Sequence, residues 1–380
     1  MEIETLELVD NNFHIIGAHS SEDYKPQVVF LFGDTEQFKD PQHYTNIRQR
    51  YPDANILGCS SSGNIMGVEV SNTSIVATAV QFKSARVKLI SLDFEPGYNP
   101  QEFEDKLAKS ISDLNETDIK HLFVLSDGIS MNGSDLVKGI NKTAKVPVTG
   151  GMAGDGGRFQ ETWVIANDVP MQNRIAILAF YGDSLTTSHG CYAGWSEFGA
   201  ERVITKSKNN VVYEIDGQPA LDLYKTYLGD YAQDLPNSGL RFPLSIKEHD
   251  SDTEVIRTLL GVSEEEKSIT FAGNVPEGFR ARLMKPDLDV LIDGAGVAAQ
   301  NTLKGNDLPA LGLVVSCVGR KIIMGQLVEE ELDAVEDILG QQVQLCGFYS
   351  YGEISPLNNE DVSCSLHNQT MTLTTIYEDE

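Results

Sequence analysis

Apolar residues in this chain gather into short runs, and three of those runs end alike. Val28-Val29-Phe30-Leu31-Phe32 stops at Gly33-Asp34, and His121-Leu122-Phe123-Val124-Leu125 stops at Ser126-Asp127-Gly128. Leu313-Val314-Val315 stops at Ser316-Cys317-Val318-Gly319-Arg320. A stretch of helical periodicity follows each, then a second β-rich run that closes on glycine. The closing segments are Ile56-Leu57-Gly58-Cys59-Ser60-Ser61-Ser62-Gly63, Val148-Thr149-Gly150-Gly151-Met152-Ala153-Gly154-Asp155-Gly156 and Leu345-Cys346-Gly347-Phe348-Tyr349-Ser350-Tyr351-Gly352-Glu353. From Asp34 to Gly58 is 24 positions, from Asp127 to Gly150 is 23 and from Cys317 to Gly347 is 30, so the third unit is the looser copy. Each unit reads as strand, helix, strand and glycine-rich loop. Such loops let backbone N–H groups approach a ligand, and they stand where α/β sheets bind small molecules.

The pattern between the units predicts further elements. Residues 73–82 and 86–92 are β-rich with a short polar turn between them, which predicts a hairpin. Asn99-Pro100 opens a helix whose stripe is Phe103, Leu107, Ile111 and Leu114. Strands are expected at 162–166, 174–181, 202–205, 211–215 and 371–377, a turn-rich stretch at 189–195, and a helix from Pro219 closed by Gly229. Asp293-Gly294-Ala295-Gly296-Val297-Ala298-Ala299 imitates a dinucleotide fingerprint but lacks the acid expected about 20 residues on. The acidic stretch 249–254 reads as a solvated loop edge and 378–380 as a frayed tail. The whole predicts a mixed α/β (α+β) protein of two related domains that join between about residues 185 and 220, with mixed sheets built from the repeated units.

Composition narrows the function classes. With 380 residues two cores are expected, and 41% hydrophobic residues suffice to build them. The formal charge of −27 sets the surface against phosphate backbones and anionic lipid, so neither nucleic acid nor membrane is an expected partner. No apolar run has the length to cross a bilayer, and the first residues are acidic where a signal peptide is basic. Five cysteines without a Cys-x-x-Cys pair indicate a reducing, cytoplasmic setting rather than a disulfide framework.

Taken in order, Gly58-Cys59-Ser60-Ser61-Ser62-Gly63, the glycine loop at 150–156, Ala220-Leu221-Asp222-Leu223-Tyr224-Lys225-Thr226-Tyr227-Leu228-Gly229 and Gly347-Phe348-Tyr349-Ser350-Tyr351-Gly352-Glu353-Ile354-Ser355-Pro356 resemble the FIST sensory family. The resemblance spans about residues 25–375 and assigns 25–200 to its N-terminal and 201–377 to its C-terminal domain. It implies a signal-input protein, not a metabolic enzyme, that senses a small ligand, with amino acids among the candidates. One branch implies haem and nitric-oxide sensing through a partner histidine kinase.

The residues themselves leave several chemistries open. Gly58, Cys59, Ser60, Ser61, Gly150, Gly151, Met152 and Asp155 could hold a small polar ligand, or the glycines could only shape turns. Tyr349, Tyr351 and Glu353 alternate and would share one strand face, where Glu353 could meet a ligand ammonium or pair with Arg320. His189 is the candidate axial haem ligand, with Cys191 two residues on as a second metal ligand; the alternative is a histidine bonded to backbone. Cys59, Cys317 and Cys346 stand by the repeat loops, as reactive thiols or as apolar filler. A cysteine enzyme would use Cys59 or Cys191 with His189 as base. A pure docking module would bind no small molecule.

Overall fold

The computed structural model describes every residue except 20, 22, 115–116, 250–253, 304–308, 359–360 and 379–380. Most of the acidic stretch at 249–254 and the last two residues of the tail therefore lie outside the described residues. The three repeated units each form a parallel strand pair at the centre of a mixed sheet: Val28–Gly33 with Asn55–Ser60, Ile119–Ser126 with Val148–Met152, and Leu311–Cys317 with Gln344–Ser350. In each sheet an antiparallel strand flanks the first member of the pair: Ile75–Gln81, Arg174–Tyr181 and Met371–Glu378.

The second flank is exchanged between units. After Asn55–Ser60 the chain crosses over, and Asn64–Met66 pairs with Gln344–Ser350 of the third unit. After Gln344–Ser350 it crosses to the second, where Gly352–Pro356 pairs with Val148–Met152. After the second unit's loop, Val164–Ala166 pairs with Asn55–Ser60 of the first. The ring closes on itself, and three sheets surround one axis.

Side-chain alternation shows why the apolar runs are unbroken. Val28, Phe30 and Phe32 point to the shared axis with Phe123, Leu125, Leu313, Val315 and Phe348. Val29 and Leu31 point outward under the helix Pro41–Arg50, Leu122 and Val124 under the helices Pro100–Ser112 and Gly133–Asn141, and Val314 under Leu288–Gln300 and Glu330–Leu339. A strand covered on both faces needs apolar residues at every position. Phe30 meets Phe123 edge-on at 6.0 Å and Phe32 stacks on Phe348 at 4.9 Å, tying the three units at the axis. A fourth sheet, with Ser196–Lys208, Val211–Ile215 and Arg280–Lys285 at its middle, has its own core around the helix Ala220–Leu228.

Three local expectations are corrected. Ile75–Gln81 and Arg86–Asp93 are strands but not a hairpin, because the first lies in the first sheet and the second pairs with Arg174–Tyr181 in the second. The turn between them steps across the seam of the ring. Residues 189–192 belong to a strand, Leu185–Tyr192, paired with Met371–Glu378. Gly190 is there because the helix Leu288–Gln300 presses on it: a Cβ would lie 2.0 Å from the Ala298 carbonyl oxygen. That helix contains the fingerprint imitation at 293–299, so its glycines serve packing. Finally, Tyr349 and Glu353 do not share a strand, since the chain changes sheets at Tyr351.

The glycines of the paired strands have a common duty. Gly58, Gly150 and Gly347 stand opposite Leu31, Val124 and Val314, and a Cβ on each would fall 1.8–2.1 Å from the facing carbonyl oxygen. Gly150 also has φ of +141°, which side chains oppose. Gly150→Ala should therefore cost about 3 kcal/mol or more in unfolding free energy. Gly261→Ala, in open space, should stay within about 0.5 kcal/mol. Urea denaturation of the two variants checks the contrast, and equal losses would refute this account.

Candidate functional site

The exchange brings the three glycine corners together. The Gly154 N–H donates to the Ser60 carbonyl at 3.0 Å, the Ser62 N–H to Tyr349 at 2.8 Å, the Tyr349 N–H to Gly63 at 2.8 Å and the Tyr351 N–H to Met152 at 3.1 Å. Ser60, Ser61 and Cys59 are buried, and the Ser60 hydroxyl accepts from the Trp163 N–H at 2.9 Å. Gly151 faces Val315 and Phe348, and a Cβ on Gly154 would sit 2.4 Å from the Ser62 hydroxyl. The corners meet in a filled knot whose hydrogen bonds run between its own members. The three loops, read in the sequence as a ligand site, here satisfy one another instead.

Charged groups near the knot are locked into networks. Arg320 is fully buried and pairs with Glu331 at 2.9 Å, not with Glu353; it also donates to the Ala193 and Leu291 carbonyls. Glu331 further accepts from Tyr349 at 2.7 Å and Ser316 at 3.0 Å. The Glu353 carboxylate accepts from Ser350 at 2.6 Å and from the Thr370 hydroxyl and N–H at 2.9 and 3.1 Å. Burial pushes its acid up to about 7 against those bonds. Burial also acts to raise Asp155, yet the Tyr351 hydroxyl and the Gln160, Glu161 and Phe159 N–H groups hold it below its ordinary range.

Open space lies beside the knot, at the second unit's corner. In the first unit the helix Thr35–Phe38 starts at once, and Phe38 covers Gly33. In the third, Val318–Met324 follows the strand directly. In the second, the helix waits until Gly133, and the loop before it is shaped by Asp127, whose carboxylate accepts from the Ile129, Ser130 and Asn173 N–H groups. The space left is a cavity of about 400 Å³, within the range of small-molecule sites. Of the residues expected from sequence, Met152 and Tyr351 line it; the others sit in the knot, in the networks or elsewhere. Phe159 stacks on Tyr351 at 4.4 Å while holding φ of +54°, an unusual backbone for an aromatic residue. Asp135 is buried in the wall, 3.3 Å from the Tyr98 hydroxyl, and burial raises its acid, with Lys138 opposing. The fourth sheet supplies the far wall through Asn210, Leu260 and Phe271. Tyr98, Asp135 and Phe159 were missed in the sequence; the delayed helix start after Asp127-Gly128 was the available signal.

His189 and Cys191 lie apart from this cavity. His189 is buried in its strand with Nε2 3.1 Å from the Asn358 carbonyl oxygen, so that nitrogen is directed at backbone. Cys191 faces a different histidine: its Sγ is 3.6 Å from His367 Nδ1, beside a cavity of about 220 Å³. That space is below the 300 Å³ or so of ordinary cofactor sites. The residues therefore do not fit haem. Among the described residues, no group of three or more His, Cys, Asp or Glu is placed to hold a metal ion. No described helix is long and apolar enough to cross a membrane.

The cavity, framed by interleaved strands and walled on one side by a separate sheet, has the volume of a small-molecule site. Residues 27–218 match the FIST N domain and residues 220–356 the FIST C domain, so the chain belongs to the FIST family, whose domains are sensory, ligand-binding modules. It is 24% identical to an uncharacterized protein of Methanocaldococcus jannaschii, over 86% of this chain and 69% of that one. It is also 24% identical to uncharacterized proteins from two strains of Mycobacterium tuberculosis, over 66% of each chain. A crystal structure of a chorismatase aligns over 98% of both chains at 8% identity and a TM-score of 0.34.

Glu353 offers a test of the networks. A buried acid raised from 4.5 to about 7 stabilises the fold fully below the unfolded value and loses that contribution as pH rises through 7. Relative to Glu353→Gln, the native chain should lose roughly 3 kcal/mol of stability between pH 4.5 and 8. Denaturant titrations of both proteins at several pH values measure it, and a pH-independent difference would refute it.

Proposed function

We propose that this protein is a sensor for a small molecule carrying a positive charge beside an apolar body, bound in the 400 Å³ cavity. The observation that carries the reading is the lining of that cavity, which includes both Asp135 and the stacked Phe159 and Tyr351 rings. An ammonium would pair with the carboxylate, and an aliphatic or aromatic body would lie on the rings. Amino acids and biogenic amines are in this class.

Signalling follows from where the cavity sits. One wall belongs to the three-sheet ring and the other to the fourth sheet, so a ligand touching both favours one relation between them. A ligand shifts such an equilibrium by its difference in affinity for the two states. The surface thereby changed would be read by a separate signalling protein, such as a histidine kinase. The acidic surface suits a partner with a basic face.

Thermal unfolding with a panel of small amines, amino acids and matched neutral or anionic analogues tests this. A true ligand at 100 times its Kd should stabilise by about 2.7 kcal/mol. Asp135→Asn should weaken that ligand about tenfold or more. Stabilisation by anions or neutral analogues alone, or an Asp135→Asn variant that binds like the native chain, would overturn the assignment.

A further inference from the structure

The smaller cavity holds a thiol and an imidazole that nothing in the sensory reading uses. Cys191 comes from the strand Leu185–Tyr192 of the third sheet and His367 from Cys364–His367 of the second, so the pair forms across a seam between sheets. His367 Nε2 lies 2.9 Å from the Ser355 carbonyl oxygen. A carbonyl only accepts, so Nε2 carries the proton and Nδ1 is left with its lone pair toward Cys191 Sγ at 3.6 Å. The thiol therefore donates to Nδ1. Nucleophile, base and a third group that orients the base form the arrangement of nucleophilic catalysis.

The surroundings restrict what could react. Trp195, Ile256, Met284 and Leu357 supply the apolar part of the lining and Glu254 and Thr370 a polar part, and the 220 Å³ admits only a small molecule. Cys59, Cys317, Cys346 and Cys364 are buried and line neither cavity, whereas Cys191 lines this one. Burial pushes the Cys191 thiol up to about 12 and His367 down to about 4, so the resting pair is neutral and the sulfur is not a free thiolate. Its attack needs the proton to leave as the new bond forms, and Nδ1 is placed to take it.

We propose that Cys191 and His367 form a covalent capture site for small conjugate acceptors, the α,β-unsaturated carbonyl compounds. Sulfur forms a bond to the β-carbon as the carbon–carbon π bond breaks, and its electron pair moves to the α-carbon. The thiol proton passes to His367 Nδ1 and from there to the α-carbon. Nothing is oxidised or reduced, and no leaving group departs. The site is separate from the 400 Å³ cavity, so it stands independently of the amine reading.

N-ethylmaleimide, a small conjugate acceptor, is the probe. The full chain is treated with a limiting amount, and adducts are located by peptide mass mapping. One adduct is expected, at Cys191, and Cys191→Ser should abolish it. His367→Gln should slow labelling at Cys191 by about a hundredfold or more, the lower end of the range for general-base assistance; His367→Asn serves if that variant misfolds. First labelling at another cysteine, or no labelling of the folded native chain, overturns the proposal. So does a folded His367 variant that reacts at the native rate. The mapping arm needs no variant and decides by itself if neither His367 variant folds.

Discussion

A sheet edge leaves a row of N–H and C=O groups that must be paired or covered, and here three sheets solve that requirement for one another. Each unit's second strand gains its outer neighbour from the segment that has just left another unit. The chain must therefore turn sharply at three places that converge, and the turns must satisfy their own backbone groups. They do so by bonding across the meeting point. The filled knot, the buried Arg320–Glu331 pair and the glycine contacts between parallel strands are all conditions of that closure.

The same closure accounts for where a ligand fits. The first and third corners are stoppered by helices that start straight after the strand, and the second is not. Its loop is fixed instead by Asp127, and Phe159 is held in its uncommon backbone region by N–H donation to Asp155 and the Tyr351 hydroxyl. The cavity's ring-side wall comes from the second unit's corner and helices, with Phe159 and Tyr351 beside them. The other wall is a sheet with a core of its own, and that difference suits a sensor.

Much of the ring was legible because it depends on local pattern. Unbroken apolar runs at nearly constant spacing marked the parallel pairs, and the stripe from Phe103 to Leu114 marked its helix. What escaped was set by partners distant in sequence. Nothing local shows that residues 75–81 and 86–93 enter different sheets, or that the alternation through Tyr349, Tyr351 and Glu353 is cut by a crossover. The glycines were visible, but their duty was not: at Gly58, Gly150 and Gly347 they admit a facing carbonyl. The cavity was half legible, since its loop follows a recognised strand while Asn210, Leu260 and Phe271 arrive from far along the chain. His367 opposite Cys191 is a contact across 176 residues, beyond the reach of spacing rules.

The exchange also imposes an order on synthesis. Val148–Met152 acquires its outer neighbour only from Gly352–Pro356, so about two hundred further residues must be translated before that row of amides is covered. A nascent chain that has reached the fourth sheet still presents an open, glycine-bearing edge at its middle. Pausing or truncation in that interval leaves an unpaired strand edge, the kind of surface that promotes aggregation.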